Sequence, residues 1–291
     1  TSYQVALATN VAETLASPTT NTFHRVQGPN EASGIVVRGL NATGSGSLSA
    51  AATAYTYAQP PTALALATVS SAAVAMTWSA NGNPSGTVYE LQLSTDGALY
   101  TAFSTFTTAG ATASALSAST TYFFQVRARN GDLVTTAFAS AVSTRTMPPA
   151  PGVPGTPFSL SASTGDVVWT GAGAASAVSY QVALASKTAE LLATPATNFF
   201  TRFQGPNEPS GLVVRGVNAT GAGALSAPAT VYTWAQTPGA LSVTAVSSAS
   251  AGLAWGANGN PAGTLYELQR STDDALYTSL STYTAFGASA T

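Results

Sequence analysis

The sequence contains no cysteine, a single histidine (His24) and few charged side chains. Lys, Arg, Asp and Glu make up 7 % of the 291 residues, against roughly 25 % in an ordinary soluble domain. Without cysteine there is no disulfide framework, no Cys-ligated metal site and no thiol nucleophile. One histidine cannot form a multi-histidine metal site, and nine scattered basic residues provide no basic stripe for nucleic acid. No apolar run reaches the about 18 residues that a membrane span needs.

Small residues and strand-forming residues are abundant, whereas charged residues are few. Ala, Ser and Thr number 57, 33 and 43, and 45 % of the residues are hydrophobic, which is enough apolar material to form cores. Thr, Val and aromatic residues favour strands, and 26 Gly and 16 Pro provide frequent turns. The composition and the length therefore predict a β-rich protein of more than one domain.

The chain repeats itself with a period of 177 residues. The segment Ser2–Leu7 recurs as Ser179–Leu184, and residues 21–50 match residues 198–227 at 22 of 30 positions. A period of this length exceeds that of a solenoid unit. It is long enough for two domains of ordinary size.

Tryptophans and proline-rich joints divide each period into two halves. Trp78, Trp169 and Trp255 lie 91 and 86 residues apart, with proline-rich segments between them that act as semi-rigid spacers. Two related domain types, A and B, therefore alternate along the chain. The predicted domains are residues 1–57 (C-terminal part of an A-type domain), 58–147 (B-type), 148–235 (A-type) and 236–291 (N-terminal part of a second B-type domain).

The B-type domain shows the alternation of apolar and polar residues that is typical of half-buried strands. In the segment Val88–Leu93, Tyr89 and Leu91 alternate with Glu90 and Gln92. Turn signals such as Asn-Gly and Asp-Gly separate the runs, and no stretch has helical periodicity. About seven short antiparallel strands in 88 residues predict a β-sandwich.

The residues from Leu116 to Asn130 resemble the E–F corner and F strand of a fibronectin type III domain. Trp78 stands where that family has its buried strand-B tryptophan, and Tyr89 falls in strand C. The resemblance implies tandem immunoglobulin-like sandwiches, and it implies that Tyr122 hydrogen-bonds to the backbone upstream. The second B-type segment keeps Trp255 and Tyr266 at the corresponding positions.

The A-type domain departs from this pattern. It has Trp169, and Tyr180 in its strand C, but Ser210 stands where the corner tyrosine is expected. Two aromatic pairs alternate in the last strand, and we expect them to compensate as core residues. They are Tyr55 with Tyr57, and Tyr232 with Trp234.

Both ends of the sequence fall inside a domain. Residue 1 is equivalent to residue 178, so the first A-type segment starts at strand C. Residue 291 is equivalent to residue 114, and we expect the second B-type segment to stop before strands E, F and G. Half a sandwich exposes an apolar face and unpaired edges. We therefore expect the polypeptide to continue and to carry more A–B pairs.

No constellation of residues predicts catalysis, cofactor binding or a metal site, so the segment is predicted not to be an enzyme. His24 has no fixed nucleophile or carboxylate near it in sequence, and we interpret it as a solvated strand residue. Asp273 and Asp274 lack the alternating ligand run of a calcium loop. We interpret them as part of a solvated turn.

Several loops have both a structural and a functional interpretation. Residues 27–31 and 204–208 are identical Gln-Gly-Pro-Asn-Glu loops, and we favour a tight E–F turn over a ligand-binding loop. Asn130-Gly131-Asp132 lies in the F–G hairpin, but the preceding Arg129 is not adjacent to Gly131, so an integrin motif is not spelled. Asn41 and Asn218 begin Asn-Ala-Thr acceptor sequences for glycosylation, although asparagine is also common in turns.

Together these features predict a structural repeat region of an extracellular or cell-surface protein. With few charges to desolvate, neutral outward faces of strands C and F would pack against other copies, giving a filament or surface layer without nucleic acid. The resemblance implies a bacterial secreted or surface protein, with surface glycans as a further partner. Two alternatives stay open: an adhesin stalk that presents a binding domain elsewhere, and a fibronectin III linker of a secreted polysaccharide-degrading enzyme.

Overall fold

The computed structural model describes residues 2–154, 164–169 and 179–290. The chain divides into two units, Thr1–Met147 and Pro148–Thr291. In the described ranges the regular structure consists of strands with antiparallel pairing, which confirms the predicted all-β fold class. These residues include no helix that is long and apolar enough to cross a membrane. The finer domain boundaries stay a prediction.

The first A-type segment forms a single sheet. Its strands are β1 (Ser2–Leu7), β2 (Asn10–Ala16), β3 (Ala32–Asn41), β4 (Gly44–Ser45) and β5 (Ala52–Tyr55). The strand order is β2-β1-β3-β4, and β5 also pairs with β3. One face of this sheet has no second sheet on it among the described residues.

The first B-type domain has seven strands in two sheets. They are β6 (Thr62–Val69), β7 (Val74–Ser79), β8 (Val88–Ser94), β9 (Thr101–Phe106), β10 (Gly110–Ala113), β11 (Thr121–Arg129) and β12 (Val142–Arg145). The sheet orders are β10-β7-β6 and β12-β11-β8-β9. Burial alternates along β11, as the period-two pattern predicts.

Aromatic side chains occupy the core between these two sheets. The rings of Trp78 and Tyr89 meet edge to face with centroids 5.5 Å apart, and Leu116 and Phe124 are buried beside them. The hydroxyl of Tyr122 accepts a hydrogen bond of 2.9 Å from the amide of Ser117. This bond ties the strand-E to strand-F connection to the core, as the resemblance implied.

The second A-type domain has the strands that the first segment has, and two more. They are β13 (Thr164–Val168), β14 (Ser179–Leu184), β15 (Lys187–Ala193), β16 (Phe199–Phe203), β17 (Pro209–Asn218), β18 (Gly221–Ala222) and β19 (Ala229–Tyr232). β13 pairs with β16, while β14, β15, β17, β18 and β19 form the second sheet. Trp169 and Tyr180 pack between the sheets with ring centroids 5.3 Å apart.

The second B-type segment contains one more strand than the sequence predicted. Its strands are β20 (Ser242–Val246), β21 (Ala251–Ala254), β22 (Tyr266–Arg270), β23 (Thr278–Tyr283) and β24 (Gly287–Ala290). β24 pairs with β21 as β10 pairs with β7, so it is strand E. The prediction that strand E is missing was wrong, because Gly287–Ala290 correspond to Gly110–Ala113, which form that strand in the first B-type domain. Trp255 and Tyr266 are buried.

Two predictions about the A-type segments were also wrong. Tyr57 and Trp234 are 75 % and 60 % exposed, and Tyr55 and Tyr232 are exposed as well, so these aromatics do not replace the corner tyrosine in the core. His24 is exposed, as predicted, but residues 22–28 carry no strand. The equivalent of His24, Thr201, lies inside β16, because β13 is present there as a pairing partner.

Candidate functional site

The described residues do not bring together three or more His, Asp or Glu side chains that could hold a metal ion. Asp273 instead accepts hydrogen bonds from the amides of Ala275 and Leu276, both at 3.0 Å, and from the hydroxyl of Ser271 at 2.8 Å. These bonds lower the pKa of the Asp273 carboxyl to about 2. Its carboxylate therefore organises its own turn. That the segment is not an enzyme stays a prediction.

The most elaborate polar site lies where the first A-type segment meets the B-type domain. We call it the domain joint, and it comprises residues 27–31, 55–59, 81–87 and 130–132. Its centre is the Gln-Gly-Pro-Asn-Glu loop, in which the Glu31 carboxylate accepts the amide of Gly28 at 2.9 Å. The hydroxyl of Thr56 donates to the carbonyl of Gly28 at 2.6 Å. Asn30 has a positive φ of 50°, a conformation that asparagine tolerates better than most residues.

The side chain of Asn30 bonds to the B-type domain through both ends of its amide. Its Nδ2 donates to the hydroxyl of Thr87 at 2.8 Å, and its Oδ1 accepts the backbone amide of Gly131 at 2.9 Å. Thr87 is buried and donates its own hydrogen to the carbonyl of Pro84 at 2.8 Å. The Asn30 amide supplies both the donor and the acceptor that these bonds use, whereas an ionised Asp would lack the donor and Leu would lack both.

The F–G hairpin of the B-type domain is hydrogen-bonded to the end of the last strand of the A-type segment. The Asp132 carboxylate accepts the amide of Tyr55 at 2.8 Å. Asn130, which is buried, donates to the carbonyl of Thr56 at 3.2 Å. A Cβ atom on Gly131 would lie 2.4 Å from the ring of Tyr55, so this ring could not keep its position against any larger residue.

The linker between the domains is also fixed by side chains. Asn83, which is buried, accepts the amide of Gln59 at 2.8 Å and donates to its carbonyl at 2.7 Å. Asn81 donates to the carbonyl of Pro60 at 2.9 Å. These bonds use backbone groups of the linker that would otherwise bind water. These bonds hold the linker against the surface of the B-type domain.

The second unit builds the same joint 177 residues later. Asn207 donates to the hydroxyl of Thr264 at 2.9 Å, and Asn260 holds Gln236 by bonds of 2.7 and 2.8 Å. Asn258 donates to the carbonyl of Thr237 at 2.8 Å. The loop and linker contacts therefore recur between different pairs of segments. Contacts from an F–G hairpin are absent among the residues described in this unit.

The sequence predicts a tight turn at residues 27–31 and a hairpin turn at Asn130-Gly131-Asp132. Both are turns, but their contacts with each other were not expected. One signal was available in the sequence. The identical loops at 27–31 and 204–208 recur together with the Asn-Gly-Asn-Pro turns at 81–84 and 258–261, which is the pattern expected of two surfaces that touch.

The outward face of the B-type domain corrects another expectation. Strands C and F were predicted to present neutral faces. Instead, Glu90 bonds Arg127 at 2.8 Å and Arg129 at 3.4 Å, and Arg127 lies 4.7 Å from the ring centroid of Phe138. Three of the six charged residues of this domain therefore lie on β8 and β11, where they partly neutralise one another.

The two candidate glycosylation residues lie in different environments. Asn41 is exposed, while Asn218 is only 6 % exposed. In both, the Oδ1 atom accepts a backbone amide two residues on, at 2.9 Å, as in an Asx turn. Glycosylation at these residues stays a prediction, and the burial of Asn218 argues against it there.

The predicted core residues lie inside the sandwiches. Trp78, Tyr89, Leu116, Tyr122, Trp169, Tyr180, Trp255 and Tyr266 are all less than 10 % exposed. Burial raises the pKa of the Tyr89 hydroxyl.

Comparison with known proteins adds two structural neighbours. No family model and no curated protein matches the chain. The crystal structure of the chicken CNTN1 FN1-FN3 domains is 18 % identical over 79 % of this chain and 87 % of that one, with a TM-score of 0.30. The solution structure of the fibronectin type-III domain of human fibronectin type III domain containing protein 3 is 26 % identical over 30 % and 84 %, with a TM-score of 0.27. Both are structures of fibronectin type III domains, the family that the B-type motifs resemble.

Proposed function

We propose that this segment is a structural repeat region of an extracellular or cell-surface protein, in which each A–B pair is a preformed unit of fixed geometry. The observation that carries the proposal is the domain joint. A flexible tether between sandwiches needs no specific contacts, whereas here both faces of the joint and the linker are hydrogen-bonded. The repetition of these contacts in the second unit supports a role that every pair performs.

The chemistry of the joint suits a spacer that keeps its length. Apart from the bonds to Asp132 and Glu31, its hydrogen bonds join neutral amides and hydroxyls, which depend less on salt than exposed ion pairs do. Each contributes about 1 kcal/mol when its partner is buried, and several act together across the joint. Sandwich architectures of this kind are common in cell-surface proteins. The segment therefore holds the parts of the protein on either side of it at a fixed distance.

Association with other copies stays a prediction. The second sheet of the B-type domain, β10-β7-β6, offers Ala, Ser and Thr at its surface, and few charges would lose their hydration there. The cluster of Glu90, Arg127 and Arg129 lies on the other sheet and makes that face less suited to dry packing. The stalk and linker alternatives require the same fixed spacing and differ in the rest of the polypeptide.

Spin labels can test the fixed geometry directly, because the chain has no cysteine of its own. Cysteines introduced at the exposed Ser47 and Ser104 carry one label in each domain of the first pair. We expect a narrow label-to-label distance distribution by double electron–electron resonance. Gly131→Ala should broaden it, because the added Cβ meets the Tyr55 ring at 2.4 Å.

Two further variants show whether the joint is the cause of the narrow label-to-label distance distribution. Gly39→Ala is the matched control, since a Cβ there has no neighbour within 4 Å, and it should leave the distribution narrow. Tyr55→Ala in the Gly131→Ala background removes the clash and should restore much of the narrow distribution. A broad distribution in the unmodified chain would overturn the proposal.

A further inference from the structure

Three asparagines of the chain are followed directly by glycine, and all three lie in turns of the joints. They are Asn81, Asn130 and Asn258. Glycine has no side chain to hinder a reaction between its own amide nitrogen and the side chain of the residue before it. The surroundings of each pair therefore decide whether that reaction takes place in the folded chain.

The reaction needs only the chain and water. The amide nitrogen of the glycine loses its proton and attacks the Cγ atom of the asparagine, which forms an N–Cγ bond and closes a cyclic imide. The Cγ–Nδ2 bond breaks, and the side-chain nitrogen leaves as ammonia with the proton. Water then opens the ring and leaves aspartate or isoaspartate. The glycine N–H must therefore be free, and the asparagine side chain must be able to move towards it.

The domain joint occupies both reacting groups at Asn130. The amide of Gly131, which would be the nucleophile, donates to Oδ1 of Asn30 at 2.9 Å. The Asn130 side chain donates to the carbonyl of Thr56 at 3.2 Å and accepts the amide of Val134 at 2.8 Å. Asn130 is only 3 % exposed. Reaction here requires these bonds to open and water to enter.

Asn81 and Asn258 lie in a more open setting. Each makes a solvent-exposed side-chain bond to the linker, from Asn81 to the carbonyl of Pro60 at 2.9 Å and from Asn258 to the carbonyl of Thr237 at 2.8 Å. In the described part of the chain, the amide of the glycine that follows each of them donates no hydrogen bond. One exposed bond is therefore the main restraint on each side chain.

We propose that Asn81 and Asn258 are sites of spontaneous deamidation, and that Asn130 is a third site which the domain joint keeps unreacted. The product at Asn81 has a carboxylate oxygen in place of the Nδ2 donor. It faces the carbonyl oxygen of Pro60, and two acceptors form no hydrogen bond. The reaction therefore removes one contact between the linker and the B-type domain. The proposal is independent of the proposed function, because it concerns the chemistry of these contacts whether or not they fix a spacing.

The same turns contain a built-in reference that cannot react in this way. Asn83 and Asn260 also hold the linker, but each is followed by proline. The proline nitrogen carries no hydrogen, so it cannot close the imide ring. Modification at Asn81 without modification at Asn83 therefore identifies the glycine amide as the nucleophile.

Mass spectrometry of the full 291-residue chain tests the proposal. The folded chain is incubated at mildly alkaline pH and digested with pepsin in acid, where imide formation is slow. We expect the mass change from amide to acid at Asn81 and Asn258, and a rate at Asn130 at least ~10-fold lower, because several bonds must open there first. In concentrated urea the three sites should react at similar rates, since each has glycine next to it.

A single substitution tests whether the joint protects Asn130. Asn30→Ala frees the amide of Gly131 and should raise the rate at Asn130 at least ~5-fold, with far-UV circular dichroism to check that the variant folds. Asn207→Ala, the equivalent change in the second unit, is the matched control and should leave that rate unchanged. The proposal is overturned if Asn130 reacts as fast as Asn81 in the folded chain, if Asn81 and Asn258 stay unmodified there, or if Asn30→Ala has no effect on Asn130.

Discussion

Residues 2–57 and 179–234 are identical at 39 of 56 positions and have different surroundings. Where β13 lies on the second copy, residues 199–203 form strand β16, and Val214 is fully buried. In the first copy residues 22–28 have no strand and Val37 is exposed. Among the described residues, pairing with β13 goes together with both the strand at 199–203 and the burial of Val214. The two segments also differ at three of five positions, because residues 22–26 read Thr-Phe-His-Arg-Val and residues 199–203 read Phe-Phe-Thr-Arg-Phe.

Removing the tryptophan of the second copy should produce the largest effect. Trp169→Ala removes the ring that packs against Tyr180, and we expect a loss of about 3–5 kcal/mol in the unfolding free energy of that domain. Residues 199–203 should then exchange their amide hydrogens as fast as residues 22–26. Denaturant unfolding and hydrogen exchange measure the two effects. If β16 stays as protected as before, Trp169 is not what holds the strand.

A pair of equivalent substitutions measures how much the presence of β13 changes the contribution of one valine to the unfolding free energy. Val214→Ala removes buried methyl groups and should cost about 2 kcal/mol. Val37→Ala acts on an exposed side chain and should change the unfolding free energy by less than about 0.5 kcal/mol. Urea unfolding of the two variants gives the difference. Equal losses of unfolding free energy in the two variants would contradict the difference in burial between Val214 and Val37.

The two joints should also differ in strength. Asn30→Ala removes the bonds to Thr87 and Gly131 and should cost about 2 kcal/mol. Asn207→Ala removes the bond to Thr264 and should cost about 1 kcal/mol. Thermal unfolding of both variants measures the difference. A larger loss from Asn207→Ala would show that the hairpin contact adds nothing to the first joint.

The acidic turns should respond to pH alike in both copies, with the smallest effect. Hydrogen bonds from Ser94 and from the amides of Leu99 and Ala98 lower the pKa of Asp96 to about 2, and Asp273 is lowered to about 2 in the same way. Since each pKa is lower in the folded chain than the usual 3.8, each carboxylate stabilises the fold above pH 3.8. That contribution is lost as pH falls towards 2.

Asparagine variants separate this contribution from other acidic groups. Asp96→Asn and Asp273→Asn should each flatten the decline of stability between pH 4 and 2, as measured by thermal unfolding at a series of pH values. The two changes should be similar, because the turns are local and depend on no distant strand. A marked difference in pH dependence between the two variants would show that residues outside these turns also affect the pKa of their aspartates.

Much of the fold was predictable from local sequence. The alternation in β8 and β11, the Trp–Tyr pairs and the Tyr122 corner follow from side-chain period and spacing, which strands express wherever they lie. The extra strand β24 was missed because Gly287–Ala290 is small and short, without an apolar pattern. The exposed aromatics of β5 and β19 were misassigned since alternation does not say which face meets a partner.

The contacts of the domain joint could not be predicted from local sequence. Asn30, Thr87 and Gly131 stand up to 101 residues apart, and each has an ordinary interpretation as a turn or strand-end residue. Only their meeting in space gives the Asn30 amide a donor and an acceptor. Repetition of both loops at the same 177-residue interval was the one trace of this contact in the sequence.

The sequence by itself determined that the chain is all-β, that it repeats, and which side chains form its cores. These properties depend on composition and on the two-residue period of a strand. The tertiary structure decided which faces are covered, how the paired domains are held, and whether residues 22–26 become a strand. Those outcomes depend on partners distant in sequence, because a sheet face or edge is completed only by the segment that lies against it.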